Sequence, residues 1–356
     1  MSLKNQRTPI RPIASGRLGT GSRLFLALLF FASVTVLGMA QTRYTVNRPV
    51  TVTMPTTPIA TPPEDDWTDY IPQNSAVPID WEFDYEYAMA TAKQSSRRLL
   101  VYLYADDETG IPDALAALPV VAACEKFDTV VLDDDFVRSG LCRYVLLKLP
   151  MDAKITDESG DESDDEMSVY SLLGFEHMVG HPGLLVIDFE QRAASYYGEV
   201  VGILPFLHGI TPTTEQTEIF LELPPGTLTQ RTLTYAVRIH PGNPLSADGE
   251  PAPAVMQAAT DHAEFQAARG ILGHYNFGSR SYRVQEAMGE SGSPAEICAQ
   301  TQIGLGLFEG ALSAMRAWRN SSGHWSIAKK FHRYYGYDMV RSKNGAWYAV
   351  GFFINN

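Results

Sequence analysis

Apolar positions along the chain fall into short buried runs and one-sided helical stripes. Asp84-Tyr85-Glu86-Tyr87 leads into AMATAKQSSRR, a helix pattern with an acidic first turn and a basic last turn. The run Leu99–Tyr104 follows as a buried strand, and Tyr144–Leu149 is a second. Between them ALAALPVVAACEKF suggests a helix broken at Pro119. SVYSLLGF reads as a further helix, Leu184–Phe189 as a strand, and Ala194–Gly198 as its partner strand. In residues 223–255 only LTYAVRI alternates, weakly, as one strand would; the rest is rich in Pro and Gly. Val255–Arg269 is a strong helix stopped by Gly270. Ser293-Pro294-Ala295-Glu296 carries the signature of a helix start, with Ser293 capping and Glu296 reaching back. Phe308, Leu312, Met315 and Trp318 share one helical face. The chain closes with two strands, Tyr334–Val340 and Ala346–Ile354, around the hairpin pair Asn344-Gly345. The pattern is of α/β and α+β class.

The ends and connections are different in kind. Residues 1–23 hold five basic side chains and no acid, and Leu24–Leu37 is apolar apart from Ser33 and Thr35. Gly38-Met39-Ala40 completes the charged, apolar and small-residue order of an export signal over residues 1–40. The same segment fits an uncleaved N-terminal membrane anchor at the short limit of length. Residues 41–79 are a Thr/Pro-rich linker, and the expected modules are 80–222 and 255–356, joined by a second linker over 223–254.

Composition sharpens this division. The 356 residues are 45% hydrophobic and carry a net charge of −13. Without residues 1–40 the charge is −18, from 41 acidic and 23 basic side chains. Residues 41–255 hold 34 acidic and 13 basic side chains, and residues 256–356 hold 7 and 10. Nucleic acid as a partner is disfavoured by such a balance. Asp157–Glu166 has seven acids in ten residues and reads as a solvated loop, without the ligand spacing of an EF-hand. Three cysteines are too few for a disulfide scaffold.

The β-α-β then α-β-β order of residues 80–222 resembles the thioredoxin fold, carried by WEFDYEYAMATAK, LLVYLYADD, CEKFDTVVLDDDFV and HPGLLVIDF. The resemblance implies a cis-proline at Pro182. Thiol–disulfide exchange needs two cysteines at Cys-x-x-Cys. In Val121-Ala122-Ala123-Cys124 only the second is present, which points to a redox-inactive module. Cys124 then reads either as a buried apolar thiol or as a disulfide partner of Cys142. A thiol-linked redox role for Cys124 is the weaker alternative.

Residues 255–356 resemble the CAP superfamily of secretory cysteine-rich, antigen-5 and pathogenesis-related proteins, in its short bacterial form. The carrying pieces are Ala263 to Gly270-Ile271-Leu272-Gly273-His274, then Ala295-Glu296-Ile297-Cys298-Ala299. Ala317-Trp318-Arg319-Asn320-Ser321-Ser322-Gly323-His324, Tyr335-Gly336-Tyr337 and Trp347–Phe353 complete the match. It implies an α-β-α sandwich whose cleft holds His274, His324 and Glu296, a set suited to zinc or to proton transfer. The family's second acid has no counterpart, since Arg319, Asn320, Ser321 and Ser322 fill its region. The bland alternative pairs His274 with Glu296 as structure and leaves His324 at a helix cap. His262 reads as a surface residue, His332 as solvated among Lys329, Lys330 and Arg333, and Cys298 lies beside the candidate acid.

The resulting expectation is a secreted, periplasmic or membrane-tethered binding protein of the cell envelope. Its cleft would take an unknown ligand or envelope component, with zinc as the one cofactor suggested. A metal-dependent hydrolase using His274, His324 and Glu296 is the first alternative.

Overall fold

The computed structural model describes residues 78–111, 118–155, 167–172, 174–289 and 291–355. The export segment, nearly all of the first linker and the acidic loop 157–166 lie outside the described residues. Asp84 accepts from the Tyr87 amide and starts α1 (Tyr85–Ser95), which ends where Ser96 turns left-handed. The apolar run becomes β1 (Arg98–Tyr104). After Pro119 come α2 (Val120–Lys126), a wider π turn over Phe127–Val131, and α3 (Asp135–Leu141), capped by Asp134. Next are β2 (Tyr144–Pro150), the short antiparallel pair β3 (Lys154–Ile155) and β4 (Met167–Ser168), then β5 (Gly183–Ile187) and β6 (Val200–Pro205). They form a mixed sheet in the order β2-β1-β5-β6, with β1 parallel to β2 and antiparallel to β5.

Two helices, α4 (Thr214–Leu221) and α5 (Leu228–Arg238), follow, and then the second sheet and its covering helices. These are β7 (Glu250–Pro251), α6 (Pro253–Arg269), α7 (Phe277–Met288), β8 (Ser293–Gln300), α8 (Leu307–Asn320), α9 (Ser322–Ala328), β9 (Tyr334–Arg341) and β10 (Trp347–Asn355). The strand order is β7-β9-β10-β8, with β7 parallel to β9 and the other pairs antiparallel. Strand periodicity divides its side chains between two faces. Val350, Phe352 and Ile354 pack with Val255 and Ala259 of α6, whereas Ala349 and Phe353 pack with Trp318 of α8. Helices therefore cover both faces. The chain is of mixed α/β architecture with two mixed sheets, and both belong to one contact unit. Among the described residues no helix is long and apolar enough to cross a membrane.

Several local expectations give way to tertiary pairing. LTYAVRI is not a strand but the end of α5, a helix opened by a reciprocal cap between Thr227 and Gln230. It packs on β6, β9 and α8, so the expected linker holds a helix between the sheets. Ser293–Glu296 opens β8 rather than a helix, because residues 293–300 pair with 348–355 of β10. Pro294 is tolerated there since β8 is an edge strand. Of SVYSLLGF, Val169–Ser171 form a 3₁₀ turn and Phe175 opens a second, Phe175–Met178, while Leu173 lies outside the described residues. Residues 194–198 are turns, and the partner of β5 starts at Val200. The bond before Pro182 is not cis, nor is any other among the described residues. Gly183, at φ 146°, makes the sharp entry into β5 instead.

Candidate functional site

The inward stripe of α6 runs Val255, Ala258, Ala259, His262, Ala263, Gln266, Ala267, a spacing of three and four that buries every one of them. Left-handed Gly270 ends the helix, and the two polar members of the stripe catch the chain as it leaves. The Gly273 amide donates to Gln266 Oε1 at 3.0 Å, and His262 Nε2 donates to the Gly273 carbonyl at 2.8 Å. His274 follows the anchored Gly273 directly, and its carbonyl accepts from the Phe277 amide. From the next helix Arg280 points inward, and from β8 Glu296 and Cys298, two residues apart, lie buried. His324 stands at the start of α9, where Ser321 caps the helix through the His324 amide.

Glu296 is the centre of the cluster. Its Oε2 accepts from Arg280 Nε at 3.0 Å and Nη2 at 2.5 Å, and its Oε1 accepts from His274 Nδ1 at 2.9 Å. His262 Nε2 is 3.6 Å from the same oxygen. A carboxylate only accepts, so the bond to Glu296 places the proton of neutral His274 on Nδ1 and leaves Nε2 bare. That bare nitrogen faces His324 Nε2 across 3.5 Å, with ring centroids 5.7 Å apart. Glu296 is 5% exposed, whereas the His274 side chain is 46% exposed. The cluster thus has a buried, anchored floor at the Glu296 carboxylate and a more exposed mouth at the His274 ring. Burial, then the neighbouring His274, lowers the His324 pKa below the ordinary histidine range.

Two places could hold a cation. On the floor, one atom each from His262, Glu296 and Cys298 lie within 4.8 Å of one another. The chemistry there is already taken: Arg280 neutralises Glu296, and the His262 proton is on Gly273. Burial, then the Glu296 charge, also raises the Cys298 thiol pKa, so it keeps its proton. At the mouth, zinc–nitrogen bonds of about 2.0–2.1 Å at a tetrahedral angle put two ligand nitrogens about 3.4 Å apart. His274 and His324 meet that separation at 3.5 Å. An imidazole's two nitrogens point away from each other, so Glu296 at Nδ1 is out of reach of a metal at Nε2. The three residues expected in the cleft are brought together, with Glu296 placed to orient His274.

The other expected residues are placed differently. Cys124, Cys142 and Cys298 are all free thiols. Cys124 is buried, with its sulfur accepting from the Ala105 amide at 3.4 Å, and burial raises its pKa. Cys142 is exposed, and its thiol donates to the Arg138 carbonyl. His262 and His332 are each 1% exposed, not surface residues. His332 stacks on Phe353 at 4.3 Å, donates to the Ile327 carbonyl through Nε2 and accepts from Asn355 at Nδ1. Sequence reasoning missed Arg280 and Gln266. For Gln266 the stripe on α6 was the available signal; for Arg280, on a helix whose existence the pattern did not announce, there was none.

Set against known proteins, the chain matches no family model and no characterised protein.

Proposed function

We propose that this chain is an exported or membrane-tethered binding protein of the cell envelope whose cleft binds a zinc-class divalent cation through His274 and His324. The observation that carries the reading is the 3.5 Å separation of two Nε2 atoms, one of them kept bare by the Glu296 bond at Nδ1. A borderline-soft ion with nitrogen preference suits two imidazoles, and two protein ligands leave room for a bound partner molecule. The β2-β1-β5-β6 order supports a thioredoxin-like first module, and helices on both faces of the second sheet support a CAP-like sandwich. A redox-inactive first module is supported by the burial of Cys124, whose thiol is free.

Metal analysis of purified protein and zinc titration test the reading. One zinc per chain, lost in a His274→Ala/His324→Ala double variant, is expected; native protein that takes up no zinc overturns it. A metal-dependent hydrolase using the same cleft is the second reading, favoured by the half-open His274 ring. Turnover of ester or amide reporters that vanishes in the double variant would move it into first place.

A further inference from the structure

One side chain ties the floor of the cleft to its rim. Arg280 is 5% exposed, and its guanidinium bridges two elements. Nε and Nη2 donate to Glu296 on β8, while Nη1 donates to the carbonyl of Tyr275, the residue after His274, at 3.0 Å. We infer that Arg280 is a positioning residue of the cleft. By holding Glu296 against the turn that carries His274, it makes that imidazole present a protonated Nδ1 inward and a bare Nε2 outward.

The geometry supplies each step. Both guanidinium bonds to the carboxylate fall on Oε2, which leaves Oε1 for a histidine. His262 has its Nε2 proton on the Gly273 carbonyl and stands 3.6 Å from Oε1, so His274 at 2.9 Å is the donor that oxygen receives. The third guanidinium bond fixes the backbone of the turn at Tyr275, which is 45% exposed and whose ring packs 6.0 Å from Phe265. A lysine would supply the charge without the planar fork that reaches both partners. Arg280 acts through Glu296 and His274 and has no contact of its own with the mouth nitrogens.

The role is separable from packing by ¹⁵N NMR of the His274 ring in metal-free protein, for which Arg280→Gln, Arg280→Lys and Val284→Ala are compared with native. Val284 is a buried apolar residue of the same helix and controls for general loosening. Native protein and Val284→Ala are expected to show His274 protonated at Nδ1 alone. Arg280→Gln is expected to show both tautomers, with Arg280→Lys between. A folded Arg280→Gln with the native tautomer overturns the inference, as does an equal mixture in Val284→Ala. If the Gln variant does not fold, Arg280→Lys is read in the same way, and a native tautomer there is decisive against it. Zinc titration of the same proteins rests on the binding reading above, and Arg280→Gln is expected to weaken zinc roughly 10- to 100-fold. Native protein without zinc binding would remove that reading and leave the tautomer result standing.

Discussion

His332 is a histidine with both ring nitrogens already engaged in the neutral form, one donating to Ile327 and one accepting from Asn355. Burial holds its pKa below the ordinary range, and nearby Lys330 acts in the same direction. His262 and His324 are lowered too, in each case by burial first. The unfolded chain therefore takes up protons before the native one does. The stability these neutral rings contribute is complete above the unfolded value of about 6.5 and is lost as pH falls through the lowered native values. Thermal melts between pH 7.5 and 5 should show a falling midpoint, and His332→Gln should reduce the slope. At the same scale, the thiols differ sharply in access. A maleimide added to folded protein should modify Cys142 alone, and Cys124 and Cys298 only after denaturation; rapid labelling of Cys124 would revive a redox role for it. The triplet His274, Glu296 and His324 enters from the sequence only through the resemblance to the CAP superfamily, since residue spacing alone does not join positions 274, 296 and 324. His262, one helical turn from Ala258 and Gln266, reads from sequence as a surface residue, yet its place on the Val255–Ala267 stripe turns it inward.

Helix α6 meets the second sheet at a close approach that sequence alone could not announce. A Cβ added at Gly336 of β9 would sit 2.5 Å from the Met256 backbone, which cannot yield as a side chain can. Gly336→Ala should lift α6 from the sheet and cost about 1–3 kcal/mol or more, with the His262 and Gln266 contacts weakened alongside. Denaturant titration and zinc affinity would both report it. At α5, Thr227→Ala removes a reciprocal cap and should cost about 1 kcal/mol. These two elements also show why the readings of β8 and α5 failed. Thr and Val in LTYAVRI favour strands, yet the cap at Thr227 and Gln230 begins a helix that the two sheets then bury. Ser293–Glu296 carries a cap signature, yet eight pairings with β10 outweigh it. Strong local patterns with no competing partner, such as α6 with its Gly270 stop and the Asn344-Gly345 hairpin, were legible as they stand.

One apolar core extends from Leu99–Leu103 of the first sheet to Trp318, Tyr337 and Phe353 at the second. Tyr235 of α5 is its joint, with its ring 5.9 Å from Phe220 and 5.8 Å from Phe308. Nearby Arg231 is fully buried, held by the Leu223 and Pro224 carbonyls, and burial pushes its pKa down to about 10. Residues 78–355 should melt in one calorimetric transition, and Tyr235→Ala should lower stability by about 3–5 kcal/mol without splitting it. Two resolved transitions would show that the sheets fold independently. The sharing of Glu296 among three elements bears, finally, on descent. Replacing Arg280 alone strands a buried carboxylate, and replacing Glu296 alone strands a buried guanidinium. Drift away from this cluster must therefore cross an unstable intermediate at either first step. Related chains are expected to keep the pair or lose it as a set.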